Sequence, residues 1–475
     1  MHASLSRNLD ELNKAFCAPL NQDFKTRRFS LGRSDALLAY VEGMCDEKLV
    51  NDFVLRQAAA FPDIEADEAA ILRYIAVAGL EQEQDQAKVI SELLNGKCAV
   101  IIDGHSKAVL LETKGYEHES ISEPRTENVV LGSKEGFTGN MRTNVTLIRR
   151  MLRASNLVSE MLRIGKDQQM SVCMMYLNGV ADPVTVERVR MRLQAIKKQF
   201  VPGAGLVAQF IEDRRFSIVP QVCMTERPDR CTSFLLEGQI LAVIDGAPFV
   251  LAMPATFFHL FNTPDETFMR WEYGTLTRII RYIGLFFALF LPAIFMSLVM
   301  HHRELIPIEL LMSIIQARTD VPFSVPLEVL FMEVAFLIVE QSDIRIPSQI
   351  GSALSIFGAL ILGQAAAEAK LVSPVMIIVV ALTALGSFCV PDYSLARSVT
   401  ILRFTYIIAA WLGGFLGLTI AMFATLALIC DTDSFGVPFF APVSPTLKHN
   451  NDIIIRGPLQ GQHSWRSMFR TKKGR

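Results

Sequence analysis

The distribution of hydrophobic residues divides the chain into two parts. Up to about residue 270, short apolar runs alternate with charged segments, whereas residues 282–430 form a mostly apolar block. Short apolar runs that end at Gly or Asp-Gly are typical of strands closed by turns. Uncharged runs of about 20 residues are long enough to cross a bilayer core as helices. The pattern predicts an α/β cytosolic region followed by an α-helical multi-pass membrane domain.

Two pairs of similar segments indicate that the α/β region is a duplication. Residues 35–46 resemble residues 171–182, and residues 93–104 align without gaps to residues 235–246. In each copy an apolar run reads as a strand, helical stretches follow it, and a second strand closes the unit. We therefore predict two duplicated subdomains, each β–α–α–β in outline. They are expected to be cytosolic, because no apolar signal peptide precedes them.

The predicted domain boundaries follow from these repeats and from the start of the apolar block. Within the repeats, Asp103-Gly104 and Asp245-Gly246 are interpreted as hairpin turns. The predicted segments are a polar N-terminal lead at 1–34, the first subdomain at 35–122, a linker with a basic helix at 123–165, the second subdomain at 166–270, the transmembrane domain at 271–445 and a basic cytoplasmic tail at 446–475.

The apolar block predicts four membrane spans. Residues 306–340, between the first two spans, are interpreted as interfacial or re-entrant helices, because they are too short or too charged to cross. Arginines before the first span and the basic tail place both chain ends in the cytoplasm. Arg397 and Arg403 conflict with this rule, since four spans put them on the outer side. The predicted spans are 282–300, 351–367, 371–390 and 404–430.

The second span has an unusual composition for a helix that faces lipid. Residues 351–367 are uncharged and rich in Gly, Ala and Ser, and Gln364 adds an amide. Small residues let helices approach closely in membranes, and polar groups at depth bond to a neighbour or line water. Two interpretations stay open: a tightly packed central helix, or a helix that lines a conduction path.

Carboxylates within the apolar block are a second unusual feature. Glu333 and Glu340 are seven residues apart, on one face of a helix. At that depth a carboxylate pairs with a cation or lines water, and Arg345 is the nearest candidate cation. Glu333, Glu340 and Arg345 are therefore candidates for gating or for attracting ions, as acidic rings do in cation channels. A salt bridge that fixes helix packing explains the same residues equally well.

The motif pattern predicts no enzyme. Neither a dinucleotide-binding glycine motif nor a P-loop occurs between a strand and a helix, and no nucleophile–base order stands out. The eight cysteines form no CxxC pair and have no zinc spacing, so we expect reduced thiols, no metal and no cofactor. The basic helix at 141–163 lacks interleaved aromatic residues, which favours a solvated face or a subunit contact over nucleic acid.

Several blocks of residues, in one order along nearly all of the chain after residue 35, carry a family resemblance. With them the chain resembles the GerA family, the A subunits of endospore germination receptors, to which the stage V sporulation AF-type proteins are related. Two of the blocks are Arg345-Ile-Pro-Ser-Gln-Ile-Gly351 and Gly363-Gln-Ala-Ala-Ala-Glu-Ala369. The others are 123–137, 143–149, 225–229, 321–323 and 434–438, with a closing Pro442.

The resemblance implies a role in spore germination. Members of the family assemble with a transporter-like B subunit and a lipoprotein C subunit in the spore inner membrane, and the family is viewed as a pentameric, nutrient-gated ion channel. The chain would then be a homo-oligomeric, multi-pass protein in contact with membrane lipid, with both ends cytoplasmic. Its second span would line the pore, with polar rings near the cytoplasmic end of that span. The implied pore-lining candidates are Ser355, Gly358, Gly363, Gln364 and Glu368.

Two other functions stay open at this point. An AF-type paralogue would amplify ion release during germination without sensing nutrients. A membrane-anchored scaffold would bind a cytosolic partner through its α/β domains and use its spans only as an anchor. Ion flux through the reconstituted protein would reject the scaffold, and genes for B and C subunits next to the gene of this chain would favour the receptor over the paralogue.

Overall fold

Two antiparallel sheets followed by a group of helices make up the molecule. The structure is a computed structural model, and it describes residues 1–60, 79–115, 123, 124, 126, 127, 129, 131–167, 169–343, 363–444, 455 and 456. Each of these two sheets has five strands, and a short two-stranded ribbon follows the last described helix. The five-stranded sheets occupy the part of the chain before residue 254, and long helices dominate the part after residue 270.

The first α/β unit, unit 1, contains the first five-stranded sheet. Its elements are α1 (Leu5–Ala15), β1 (Phe24–Leu31), β2 (Ser34–Val41), α2 (Glu47–Leu49), a π-helical turn (Val50–Leu55), α3 (Arg56–Ala60), β3 (Leu80–Glu83), α4 (Gln86–Leu94), β4 (Cys98–Ile102) and β5 (Ala108–Leu111). The strand order is β1-β2-β4-β5-β3, and every neighbouring pair is antiparallel. β4 is buried along its whole length, because apolar clusters cover both faces of the sheet.

The second α/β unit, unit 2, follows the same plan. Its elements are α5 (Met141–Met151), β6 (Leu157–Ile164), β7 (Met170–Leu177), α6 (Pro183–Gln194), α7 (Ala204–Ile211), β8 (Cys223–Thr225), α8 (Pro228–Glu237), β9 (Ile240–Ile244) and β10 (Val250–Met253). The strand order is β6-β7-β9-β10-β8, again antiparallel throughout. β9 is buried along its whole length, as β4 is in unit 1.

Residues that align between the two repeats occupy equivalent places in the two units. Gly43 and Gly179 follow β2 and β7, and both have a φ of +81°, a left-handed conformation that favours glycine. Asp46 and Asp182 both cap the helix that comes next, by accepting hydrogen bonds from backbone N–H groups of its first turn. The Asp-Gly pairs lie in the β4–β5 and β9–β10 hairpins, as predicted.

Each unit is larger than the β–α–α–β outline, because it begins with a helix and an edge strand. The N–H of Leu5 in α1 donates to Asp103 Oδ1 (3.0 Å), and the N–H of Met141 in α5 donates to Asp245 Oδ1 (3.3 Å). The structure therefore places most of 1–34 in unit 1, and it places α5 and β6, from the predicted linker, in unit 2. The pattern of apolar runs in the sequence did not predict β1, because the middle residues of this strand are polar and exposed.

The helical region contains the predicted membrane segments. Its elements are α9 (Phe257–Phe261), α10 (Asp265–Phe268), α11 (Trp271–Met300), a 3₁₀ turn (Arg303–Leu305), α12 (Ile308–Arg318), α13 (Val325–Asp343), a helical segment at 363–368, α14 (Pro374–Phe388), α15 (Tyr393–Cys430), β11 (Asp433–Ser434) and β12 (Val437–Pro438). In the described part of the chain, α11 and α15 are long and apolar enough to cross a membrane, and α14 is a shorter apolar helix. Most of the predicted second span lies outside the described residues.

The longest helix, α15, is a hairpin. Gly414 interrupts it with a φ of +58° and a ψ of −139°. The hydroxyl of Tyr406 donates to Thr425 Oγ1 at 2.9 Å, although these residues would be nearly 30 Å apart in a continuous helix that rises about 1.5 Å per residue. The two arms are therefore antiparallel. The predicted span at 404–430 contains the tip of this hairpin.

Both ends of the α15 hairpin are attached to unit 2. In the first arm, Ser398 Oγ donates to the backbone carbonyl of Ile218 at 2.6 Å. Just after the second arm, Asp431 pairs with Arg214 at 2.5 Å. The tip at Gly414 is therefore the part of the hairpin farthest from the α/β units.

The other helices alternate in direction. α11 runs from unit 2 to the hairpin tip, where a Cβ at Gly414 would lie 2.9 Å from the Cβ of His301. α14 runs back, because a Cβ near its end, at Gly386, would clash with the carbonyl oxygen of Gly284 in the first half of α11. α13 is parallel to α14, since its early residue Glu328 meets the start of α14 and its later residues meet the end.

The two arginines that conflicted with the positive-inside rule lie near the α/β units. Arg397 and Arg403 belong to the first arm of α15, in the half that begins beside unit 2. The conflict arose because a fourth span beginning at residue 404 was expected to start on the outer side. With the arm starting at Tyr393 beside unit 2, both arginines lie in the half nearer the predicted cytosolic region.

Candidate functional site

The predicted second span, which contains most of the pore-lining candidates, is described only from residue 363 onward. Gln364 and Glu368 are exposed one helical turn apart, whereas Ala366 packs into an apolar cluster with α11 and α14. A Cβ at Gly363 would meet Ile377 at 3.8 Å, an ordinary contact. The segment 363–368 therefore has one packed face and one exposed polar face. The candidates outside the described residues are Ser355, Gly358 and Arg345.

This exposed polar face lies at the end of the helical region that is farthest from the α/β units. Ala366 shares its cluster with Met296, near the end of α11. In the adjoining loops, Lys370 pairs with Asp320 at 2.6 Å. The resemblance implied polar rings near the cytoplasmic end, but the structure places the polar face at the opposite end from the predicted cytosolic units. The reason is the direction of α14, which starts at the far end and runs back.

Glu333 forms a fully buried ion pair. Its Oε2 lies 3.1 Å from Arg403 Nε, and both side chains are 0% exposed. Arg403 also donates to Ser387 Oγ at 3.0 Å, so the cluster joins α13, α14 and α15. Among the described residues, neither oxygen of this carboxylate accepts an aligned hydrogen bond, so charge attraction holds the pair. The partner expected from the sequence was Arg345, and Glu340 is partly exposed, in a different environment from Glu333.

Glu328 forms a second buried cluster at the far end of the helical region. Ser373 donates both its N–H and its hydroxyl to Glu328 Oε1, each at 2.6 Å. The other carboxylate oxygen lies 3.3 Å from Arg318 Nε. Glu328 is 0% exposed, and its contacts tie α12 and α13 to the start of α14. The sequence indicated no partner for this glutamate, because Arg318 lies on a separate helix and Ser373 follows 45 residues later.

A third charged cluster attaches α11 to the helices before it. Glu266, which is 3% exposed, accepts hydrogen bonds from Arg278 at 2.9 and 2.5 Å and pairs with Arg281. Arg281 also donates to the carbonyl of Phe261 at 3.0 Å. A cavity of about 230 Å³ lies beside this cluster, and its charged or titratable lining residues are Asp229, Arg230, Glu237, His259, Glu266, Arg278 and Arg456.

Asp392 caps α15 where that helix leaves unit 2. It accepts a hydrogen bond from the N–H of Leu395 at 2.9 Å. Burial raises the pKa of the Asp392 carboxyl, while the Leu395 hydrogen bond and the charge of Arg230 act in the opposite direction. The start of the α15 hairpin is therefore held by a carboxyl group that is enclosed by protein.

Arg149 connects the two α/β units. Its guanidinium donates to Asp23 Oδ2 at 2.7 Å and, through Nη2, to Asn21 Oδ1 and Ser159 Oγ, each at 2.9 Å. The arginine is 3% exposed. The sequence placed it on a basic helix with a solvated face or a subunit contact, but the structure buries it, because α5 lies between the units. Arg142, on the same helix, is exposed.

These clusters hold helices together, and they have the chemistry of paired charges. In the described ranges, no group of three or more metal-ligating side chains is close enough to hold an ion. The buried carboxylates of Glu266, Glu328 and Glu333 each pair with an arginine, which offsets the cost of placing a charge away from water. The exposed Gln364 and Glu368 are different, because they face away from the protein of their own chain.

The fold and these clusters define a two-part protein: paired α/β units attached to a helical region that exposes apolar side chains and encloses a few paired charges. The Bacillus/Clostridium GerA spore germination protein family matches residues 10–468. The chain belongs to this family, as the resemblance of its sequence blocks indicated.

Known relatives match most of the chain. Spore germination protein KA of Bacillus subtilis (strain 168) is 35% identical over 462 residues, which are 96% of this chain and 85% of the relative. Spore germination protein A1 of the same organism is 36% identical over 376 residues, or 79% and 78% of the two chains. The membrane protein YfkQ, also from that organism, is 34% identical over 440 residues, or 92% and 86%.

One solved structure is also similar. It is the N-terminal domain of the A subunit of the Bacillus megaterium spore germinant receptor GerK3, which is 26% identical to this chain. The match covers 54% of this chain and 97% of that one, with a TM-score of 0.43.

Proposed function

We propose that the chain is the A subunit of a spore germinant receptor, with its helical region embedded in the spore inner membrane. Membership of the GerA family and the two candidate spans support this assignment. The arms of α15 expose large apolar side chains, which lipid accommodates and water does not. Leu412, Leu416 and Phe423 are 77%, 70% and 67% exposed. Within the same region, Glu333 and Arg403 are buried and pair with each other, as membrane interiors require.

The alternating helices support six crossing segments, two more than the sequence predicted. They are α11, α13, the predicted second span, of which 363–368 are described as a helix, α14 and the two arms of α15. α13 has 19 residues, about 28 Å at a rise of 1.5 Å per residue. Its buried Glu328 and Glu333 face Arg318 and Arg403, which permits a crossing where an interfacial helix was predicted. An even number of crossings leaves both chain ends on the cytoplasmic side.

The exposed polar face of Gln364 and Glu368 is the observation that best supports an ion path through the protein. Lipid does not accommodate an exposed amide and carboxylate, so another copy of the chain, water or headgroups must cover them. Copies arranged around an axis, a pentamer in the family picture, would place Glu368 in a ring at the mouth of a pore. Such a ring raises the local concentration of cations. Residues 351–362 precede this face in the same predicted span, and the candidates Ser355 and Gly358 belong to them.

The proposed partners are a transporter-like B subunit and a lipoprotein C subunit. A nutrient bound by the B subunit would open the path only if the nutrient prefers the open state, because a ligand shifts an equilibrium by its difference in affinity. The buried pair of Glu333 and Arg403 joins three helices. This ion pair is therefore positioned to stabilise either the closed or the open state of the path.

Spores that carry single substitutions test this function. Glu368→Gln removes the charge of the ring and keeps its size, so nutrient-triggered loss of spore refractility should slow, with unchanged protein level by immunoblot. Glu309→Gln, at an exposed glutamate of α12, is the matched control and should behave as wild type. Normal germination of both variants would contradict a role for the Glu368 ring in conduction.

The two alternative functions predict different results for the purified protein. An AF-type paralogue would release ions in liposomes without B and C subunits and would not respond to nutrients. A scaffold would show no flux with every partner present. The receptor assignment requires flux that depends on both the partners and a nutrient.

A further inference from the structure

The loop between α7 and β8 exposes an aromatic side chain beside the helical region. Phe216 is 98% exposed, and Ile218, two residues later, is 41% exposed. A single exposed apolar residue is normal on a protein surface and needs no explanation. The position of this one is unusual, because the loop is fastened to both ends of the α15 hairpin.

These contacts fix the position of the loop along the axis of the α15 hairpin. The carbonyl of Ile218 accepts from Ser398, and Arg214 pairs with Asp431. Ser398 is 16 residues before the hairpin tip at Gly414 and Asp431 is 17 residues after it. Both are therefore about 24–26 Å from the tip at a rise of about 1.5 Å per residue. Because a bilayer core is about 30 Å thick, a hairpin whose tip reaches the far surface places this loop at the near boundary.

The charges of the loop also fit a boundary position. Its acidic residues face inward: Asp213 accepts from the N–H of Phe435 at 2.5 Å, and Glu212 accepts from the N–H of Gln221 at 3.1 Å. Arg215 is exposed next to Phe216, and within the described ranges it makes no ion pair. The loop therefore presents a positive charge beside an aromatic ring, the combination that suits an anionic membrane surface.

We propose that residues 214–218 form a membrane-contacting loop. The ring of Phe216 enters the boundary between headgroups and acyl chains of the bilayer in which the helices sit, and Arg215 lies at anionic lipid phosphates. The proposal rests on the proposed membrane embedding, and it is independent of ion conduction. It gives unit 2 a lipid contact next to both ends of the α15 hairpin.

Tryptophan fluorescence of the full chain in nanodiscs tests the loop. The nanodiscs contain phosphatidylethanolamine and phosphatidylglycerol, with or without bromine on the acyl chains, which quenches nearby tryptophan. Phe216→Trp should add emission that brominated lipid quenches and aqueous iodide does not. Phe53→Trp, at an exposed phenylalanine of unit 1, is the matched control, and its added emission should show the opposite response. In the Phe216→Trp background, Arg215→Gln or removal of phosphatidylglycerol should reduce the lipid quenching.

The other outcomes overturn the proposal. If iodide alone quenches the emission added by Phe216→Trp, the loop lies in water, and protection of that emission from both quenchers would show a contact with protein, such as a second copy. Trp411, which is 52% exposed on α15, serves as an internal control. It distinguishes a loop that does not contact lipid from a helical region that is not in the membrane at all. Its contribution, measured as the difference between wild type and Trp411→Phe, should be quenched by brominated lipid even where the emission from the loop variant is not.

Discussion

At the scale of single residues, arginines decide how the helices of this chain fit together. Arg403 and Glu333 are fully buried and face each other across α15 and α13. A buried pair contributes little compared with two well-packed apolar residues, but removing one partner leaves the other charge without compensation. The pair therefore makes the stability of the helical region sensitive to either residue alone.

Substitution of one partner tests this dependence. Arg403→Met should lower the free energy of unfolding by about 3–5 kcal/mol, and the double variant Glu333→Leu/Arg403→Met should recover most of the loss. Thermal unfolding of the detergent-purified chain measures both. Arg397→Met, at an exposed arginine of the same arm, should change little. Equal losses in the single and double variants would show that the two charges do not act as a pair.

Arg149 has the same role in the α/β region. Arg149→Ala should lower the free energy of unfolding of the α/β region by about 3–5 kcal/mol, because Asp23 loses its buried partner. Limited proteolysis should then separate the two units more easily. The control is Arg142→Ala on the same helix, where the side chain is 74% exposed. If both variants resist protease as wild type does, Arg149 does not hold the units together.

At the scale of elements, the α15 hairpin changes the organisation of the helical region. A glycine in the middle of an apolar run is common in membrane helices, so the sequence alone did not indicate a reversal of direction at Gly414. The backbone there has a positive φ, and a side chain would meet His301. Glycine is therefore required at the tip.

Alanine at two neighbouring glycines tests this requirement. Gly414→Ala should destabilise the protein by about 1–3 kcal/mol from backbone strain, in addition to the contact with His301. Gly413→Ala should be neutral or stabilising by up to about 1 kcal/mol, because its Cβ meets nothing within 4 Å in a helical backbone. Thermal unfolding compares the two. Similar behaviour of both variants would contradict the hairpin.

At the scale of the whole molecule, the sequence predicted patterns well and partners poorly. The duplication was visible, because Gly and Asp recur where each unit has a left-handed turn followed by a helix cap, at Gly43 and Asp46 and again at Gly179 and Asp182. The edge strand β1 was missed, since its polar residues gave no apolar run. Arg403 was not matched to Glu333, because 70 residues separate them and only the fold brings them together.

The central claim is that this chain forms part of a nutrient-gated ion path in a membrane. Cation flux through liposomes that contain the chain with its B and C subunits tests it most directly. Nutrient should start the flux, and Glu368→Gln should reduce the preference for cations over anions. No nutrient-dependent flux from the complete complex, with correct assembly shown by size and subunit content, would contradict the claim.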